Sequence, residues 1–340
     1  MVERPRIVSI LTEDAYDLVF SPEAEAKLLR FADFTRCRTA GAPDEETVIA
    51  WLHGADAALT SWGNKLTDRV IQETNLRIIG HVAGSVKWLP PVVWERGITV
   101  VHAAPVIAVA VGEMALALTL ACLRHIPEHD RSFKLQGARG DPTLVPRLLV
   151  SRSLHGLRVG IIGASSTGRE FLKLLRAFGD IDIWVHDPYL TEGEAARLGV
   201  RLAPLEELLA ACDVVSLHCP SLPETRHLID GQTLRLLKDG AVLINTARGS
   251  LVDHPALLKE LQSGRISAGL DVYLETCSDE EVALSAYREL PNVVITPGIA
   301  GPAGTLTKRM SLFIADELER FFSGQPLTRP VTAAMLATIA

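Results

Sequence analysis

The sequence predicts an α/β protein of two domains, each a parallel sheet covered by helices. Three observations carry this. The first hundred residues alternate short β-rich runs with helical ones. The same alternation restarts near residue 157, after a polar, Pro- and Gly-containing stretch. The chain has 340 residues, with 48% apolar and 22% charged, enough for two cores of ordinary size.

The elements follow in order. "RIVSIL", "AALTSW", "LRIIGHVAG" and "GITVVHAA" read as strands, with "PEAEAKLLRFA", "DEETVIAWL" and "LTDRVIQET" as helices between them. A long apolar helix near 106–126 comes next, then the polar stretch "KLQGARGDPTLVPRLLVSRSLHG". The second half supplies "RVGIIGA", "IDIWVHDP", "DVVSLHCP", "AVLINTARG", "RISAGLDVY" and "NVVITPG" as strands. "GREFLKLLRAFG", "LEELLAAC", "QTLRLLKDG" and "HPALLKELQSG" read as the helices between, and Gly179, Gly240 and Gly264 sit where helix C-caps belong. "TLTKRMSLFIADELERFFSG" closes the chain as a helix, and the second domain is built around residues 157–299.

Composition narrows the partners. A formal charge of −7 with no Lys/Arg block argues against nucleic acid or an anionic membrane surface. Five scattered cysteines, odd in number and never in C-x-x-C, fit a reducing cytoplasm rather than a disulfide framework or a zinc site. The N-terminus carries acidic residues and lacks the apolar core of a signal peptide. "VIAVAVGEMALALTLACL" is nearly long enough to span a bilayer, but Glu113 sits inside it, so a buried helix at a domain or subunit boundary is expected.

"RVGIIGASSTGREFLKLL" is strand, tight loop, helix. Positions 163–168 read G-A-S-S-T-G, so the dinucleotide fingerprint G-x-G-x-x-G has Ser165 at its middle glycine. Gly163 permits the turn, Gly168 lets the helix pack on the strand, and the helix N-terminus offers N–H groups to a pyrophosphate. The hydroxyls of Ser165, Ser166 and Thr167 are candidates for the same anion. Asp187, 24 residues beyond Gly163, ends the next strand. An acid there bonds a ribose 2′-hydroxyl and repels a 2′-phosphate, which predicts NAD rather than NADP. A ligand-free turn and a plain turn residue before Pro188 are the structural alternatives.

Ligands of open α/β sheets bind beyond the carboxyl ends of the strands. Those ends carry His218, Cys219 and Pro220, then Thr246, Ala247, Arg248 and Gly249, then Asp271, and finally Pro297 and Gly298. Arg248 is the most informative. Its guanidinium matches a carboxylate and can polarise a carbonyl on which negative charge develops.

Together the Gly163 loop, "HDPY", "LHCPSLPETRHLI", "LINTARGSLVD", "SAGLDVY" and "NVVITP" resemble the D-isomer-specific 2-hydroxyacid dehydrogenase family, and the likeness extends to "GHVAGS…WERGITV" and the Glu113 helix. The resemblance implies two Rossmann-like/flavodoxin-like doubly wound parallel-sheet domains with an interdomain cleft. Residues 1–104 plus 303–340 would form the substrate domain and 105–302 the NAD-binding domain. It implies a homodimer built around the long helix, and reduction of 2-oxo acids with NADH or the reverse oxidation. Arg248 would hold the substrate carboxylate and carbonyl, and Ala83, Gly84 and Ser85 would receive the carboxylate on their N–H groups. Asp271 would orient the nicotinamide carboxamide. The rest of the cofactor set would be His186, Asp187, Pro188, His218, Cys219, Pro220, Thr225, Thr246, Ala247 and Gly298.

The chain departs from the family at its proton carrier. The family has a histidine after Thr-Pro; here that position is Gly298. The partnering Glu and Pro would fall on Thr276 and Cys277, with Glu275 one residue early. The last histidine of the chain is His254. A positioned acid contributes roughly 10²- to 10⁴-fold, so its loss predicts a slow enzyme rather than an inert one. Glu275 is the first candidate substitute, then Lys87, then Tyr273, and Gly298 leaves room for a larger substrate or a proton-delivering water. Three functions remain in view. They are a 2-oxo acid oxidoreductase with a substitute proton route, an NAD(H)-binding sensor or scaffold, and an enzyme of altered chemistry.

Overall fold

The computed structural model describes residues 4–136, 151–272, 286–301 and 303–339. The chain divides into two compact units, Met1–Ile107 with Pro302–Ala340, and Ala108–Gly301.

The first unit has a sheet ordered β13-β5-β4-β3-β1-β2, from β1 (Arg6–Ser9), β2 (Asp33–Arg36), β3 (Ala57–Thr60), β4 (Ile78–His81), β5 (Thr99–His102) and β13 (Pro330–Val331). Strands β1 to β5 run parallel in the flavodoxin-like order 2-1-3-4-5, and β13 adds an antiparallel edge. The inner strands are short apolar runs because helices cover both faces. Leu28, Met310, Ile314 and Leu318 pack on one face, and Val48, Leu52, Val70 and Val93 on the other. The last helix, Thr305–Phe322, lies so close to β4 that a Cβ on Gly80 would stand 2.6 Å from Ile314 Cγ2. Helix starts follow local chemistry: Ser21, Asp44 and Thr67 accept N–H bonds at their helix N-termini.

The second unit has an all-parallel sheet ordered β12-β11-β10-β9-β6-β7-β8. Its strands are β6 (Arg158–Ile162), β7 (Asp182–His186), β8 (Arg201–Leu202), β9 (Val214–Leu217), β10 (Val242–Asn245), β11 (Ser267–Leu270) and β12 (Val293–Ile295). The chain runs outward from β6 through β7 to β8, then crosses back to place β9 against the other side of β6. That reversal makes the carboxyl ends of β6 and β9 a topological switch point.

Some local expectations change. The apolar helix spans Ala104–Leu123, and Ile126–Gln136 forms a further helix where the polar stretch begins. The apolar helix is long and apolar enough to cross a membrane, with mean hydropathy 2.3. Its Ala115, Leu118, Cys122 and Leu123 nevertheless belong to the core of the second unit. "QTLRLLKDG" is helical only over Gly231–Leu234. Beyond it the backbone tightens into i→i+3 turns (Leu236 N–H to Thr233 O, Leu237 N–H to Leu234 O) that send both Leu234 and Leu237 into the core.

Candidate functional site

The turn after β6 is shaped by what touches it. Gly163 has φ +95°, and a Cβ there would lie 2.6 Å from Cys219 N and 2.9 Å from His218 C. The chain leaving β9 therefore lies directly on the glycine. A Cβ on Gly168 would lie 2.2 Å from Gly163 O, so the helix Ser166–Leu175 starts in direct contact with the strand end. Ser165 caps that helix, accepting from Gly168 N–H (3.4 Å). Its own proton goes to His218 O (2.7 Å), so the hydroxyl expected at a phosphate ties β9 to the loop instead. The N–H groups of Ser166 and Thr167 have no acceptor among the described residues, as the first turn of any helix leaves them without an intrahelical one.

Asp187 ends β7. Its Oδ2 accepts from Ala164 N–H (2.7 Å) and its Oδ1 from Tyr189 N–H (2.8 Å), which leaves lone pairs on both oxygens for a further donor. Pro188 beside it is exposed. His186 places Nδ1 3.2 Å from Ala203 O.

His218 is a structural wedge rather than an open ligand. It is 3% exposed, with Nε2 2.9 Å from Ser216 Oγ and Nδ1 3.3 Å from Thr167 Oγ1, and its ring is 5.3 Å from that of Phe171. Burial lowers its pKa to about 3, so it is neutral. Burial likewise raises the Cys219 thiol to about 12, which keeps it protonated and unreactive. Thr225 donates to Pro220 O (2.7 Å) and accepts from Leu222 N–H (2.8 Å), so it fixes the loop after β9.

Beyond β10, Asn245 builds the turn. Its Oδ1 accepts from Ala247 N–H (3.0 Å) and its Nδ2 donates to Arg248 O (2.8 Å). Gly249 O faces His254 Nε2 at 3.2 Å, and His254 Nδ1 lies 3.0 Å from the Tyr287 hydroxyl. Arg248 itself is exposed, and Nη1 donates to Ala247 O (2.8 Å). Thr246 is 6% exposed, and its hydroxyl has no hydrogen-bond partner among the described residues. A buried polar group of this kind is ordinarily hydrogen-bonded.

Asp271 is 5% exposed, and its carboxylate organises the turn that carries Gly298. Its Oδ1 accepts from the Thr296 hydroxyl (2.5 Å) and Ile299 N–H (2.9 Å), and its Oδ2 from Ala300 N–H (2.5 Å). Gly298 is exposed at φ +71°, a backbone conformation that side chains with a Cβ rarely adopt. Glu275 and Tyr273, two of the expected proton carriers, lie outside the described residues.

In the first unit, Ala83, Gly84 and Ser85 follow β4. Their carbonyls accept from Ala103 N–H (2.9 Å), His102 Nδ1 (2.6 Å) and Trp88 Nε1 (3.1 Å) respectively. Their N–H groups have no acceptor among the described residues. Lys87 is exposed beside them. Asn245, His254, Tyr287, Trp88 and His102 were not among the expected site residues. Only Asn245 carried a sequence signal, an Asx-turn residue two positions before Ala247.

Residues 116–300 match the family model described as D-isomer specific 2-hydroxyacid dehydrogenase, NAD binding domain. The chain is 32% identical over 289 residues to D-3-phosphoglycerate dehydrogenase of Archaeoglobus fulgidus, covering 84% of this chain and 53% of that one. It is 30% identical over 285 residues to the enzyme of the same name from Methanocaldococcus jannaschii, covering 83% and 52%. It thus spans about half the length of the curated relatives it matches. The solved structure of D-2-hydroxyisocaproate dehydrogenase superposes with a TM-score of 0.78 at 23% identity, covering 97% of this chain and 100% of that one, which shows the fold.

Proposed function

The chain belongs to the D-isomer specific 2-hydroxyacid dehydrogenase family, and from that premise we propose that it moves hydride between NAD(H) and a 2-oxo or 2-hydroxy acid, with a proton route that does not use the family histidine. The observation that supports this best is the turn Asn245–Gly249. It holds an exposed guanidinium and, among the described residues, an unpartnered buried hydroxyl at one strand end.

The residues present fit a dinucleotide. Gly163 and Gly168 keep side chains out of the loop, the N–H groups of Ser166 and Thr167 suit a pyrophosphate, and the Thr246 hydroxyl lacks a partner among the described residues. Asp187 retains acceptor capacity for a ribose hydroxyl, and its charge disfavours a 2′-phosphate, which supports NAD over NADP. When bound, the nicotinamide supplies or accepts the hydride.

The chain's own residues then hold the acid and steady its charge. Arg248 pairs with the carboxylate and carbonyl oxygens, and the N–H groups of Ala83, Gly84 and Ser85 receive the carboxylate. Asp271 keeps the Thr296–Ala300 turn in place, and orienting the nicotinamide carboxamide is the part proposed for it toward the cofactor. The proton comes from Glu275 or from water admitted beside Gly298. A homodimer is part of the proposal, supported by the apolar helix Ala104–Leu123, only 50% of whose most apolar window is buried. So is a reducing, cytoplasmic location, supported by free Cys37, Cys122, Cys212 and Cys219.

A second reading, an NAD(H)-binding member without turnover, is favoured by the left-handed Gly298 in place of a proton carrier. Following NADH absorbance with glyoxylate, hydroxypyruvate, phenylpyruvate and bulkier 2-oxo acids separates the two, with NADPH as the cofactor control. The reverse oxidation of 3-phosphoglycerate belongs in the set, because the curated relatives are named for it. Turnover with NADH supports the first reading. NADH binding without turnover on any acid supports the second.

A further inference from the structure

The three residues Ala83–Ser85 sort their backbone groups by direction. All three carbonyls are bonded by the protein, and none of the three N–H groups has an acceptor among the described residues. A run of open N–H groups beside satisfied carbonyls accepts an anion and rejects a cation.

A Cβ on Gly84 would meet nothing nearer than Ile107 Cδ1 at 3.5 Å, an ordinary contact, so crowding at that position is not what selects the arrangement. What holds it are two side-chain donors. His102, at the end of β5, places Nδ1 2.6 Å from Gly84 O. A carbonyl only accepts, so Nδ1 carries the proton. Trp88 Nε1 reaches back to Ser85 O at 3.1 Å. The indole is braced in turn: its ring lies 5.5 Å from that of His81, and His81 Nδ1 is 2.9 Å from the Thr60 hydroxyl. Thr60 and His81 are registered neighbours on β3 and β4, so the brace begins in the sheet itself.

We propose that Trp88 and His102 are the positioning residues of the 2-oxo acid's carboxylate receptor. By holding the Gly84 carbonyl, His102 sets the direction of the Ser85 N–H in the same peptide plane, and Trp88 pins the next peptide through the Ser85 carbonyl, so Ser85 is fixed on both sides. This rests on the reading that the loop receives the substrate carboxylate.

Trp88→Phe is the sharpest test. It keeps an aromatic ring against His81 and removes only the N–H. Trp88 is 36% exposed, and phenylalanine retains the ring contact on its buried side. The probe is oxalate, which resembles a 2-oxo acid and is not reduced, titrated by calorimetry into protein saturated with NADH. Loss of one neutral hydrogen bond predicts an oxalate Kd weaker by roughly three- to tenfold. The NADH Kd and Tm should match those of the parent. His102→Leu should weaken oxalate likewise, and His102→Asn, which can still donate to Gly84 O, should recover part of the loss.

The controls separate the two claims. Arg248→Ala removes the other proposed carboxylate partner. If it abolishes oxalate binding while Trp88→Phe binds as the parent does, the positioning role is overturned and the site reading stands. If the parent does not bind oxalate, both are overturned. A parallel fall of Tm, NADH affinity and oxalate affinity in Trp88→Phe would also overturn the proposal, since that is the mark of a merely structural residue.

Discussion

Asp271→Asn changes few atoms and tests how the Gly298 turn is held. The carboxylate is acceptor-only and receives Thr296 Oγ1–H, Ile299 N–H and Ala300 N–H. An amide has one oxygen. Whichever way it turns, at least one backbone N–H then faces an NH₂ group in a site where Asp271 is 5% exposed. Leaving that donor unpaired costs about 1–3 kcal/mol. The remaining bonds lose their charge assistance, which roughly halves them, for a total of about 2–4 kcal/mol. For a unit of this size that lowers Tm by roughly 4–16 °C. The sharper assay is amide hydrogen exchange at Ile299 and Ala300, read by NMR in the full chain. Protection at these two amides should fall by more than the change in global stability. If both exchange as slowly in Asp271→Asn as in the parent, the carboxylate does not hold the turn and the argument from geometry fails.

Other expectations follow from the same contacts. Gly163→Ala combines φ +95° with a Cβ 2.6 Å from Cys219 N; it should weaken NADH binding by more than roughly tenfold and lower Tm, and fluorescence titration checks it. His81 and His218 are buried neutral, each with its pKa lowered to about 3. The unfolded chain therefore binds more protons, so their contribution is whole above the unfolded pKa and falls as pH drops below it. Each should cost about 1 kcal/mol by about pH 5.5. Urea midpoints that are equal at about pH 7 and 5.5 would contradict this. Gly298→His places a β-carbon at φ +71°. It should cost about 1–2 kcal/mol and leave NADH oxidation no faster. A clear gain in rate would show that the turn adapts and that the missing histidine alone limits the chain.

Much of the fold is legible because the inner strands are continuous apolar runs between turn residues. The strands that escape are edges. β2 is "DFTR", with alternating exposed and half-buried residues, and β8 and β13 are two residues each. Such short polar pieces pair because a neighbour is there, which no local pattern records. "QTLRLLKDG" misleads differently, since leucines spaced for a helix serve equally well to anchor tight turns.

At the site, the tight turn at Gly163 and Gly168 and the strand-end places of Asp187 and Arg248 are readable from the sequence. The commitments of Ser165, His218 and Asp271 are not. Ser165 meets a carbonyl 53 positions away, and Asp271 meets amides 28 and 29 positions away. Strand register decides those partners. Residue type shows that a side chain can hydrogen-bond, and only the fold shows that its capacity is already used by the protein.

The most direct measurement uses NADH deuterated at the transferable C4 position, incubated with the parent protein and a 2-oxo acid, with the product read by mass spectrometry. The account predicts a 2-hydroxy acid carrying deuterium at C2, formed slowly by the parent and lost in Arg248→Ala. NADH bound at saturation with no label in any 2-hydroxy acid, across the full substrate panel, would contradict it.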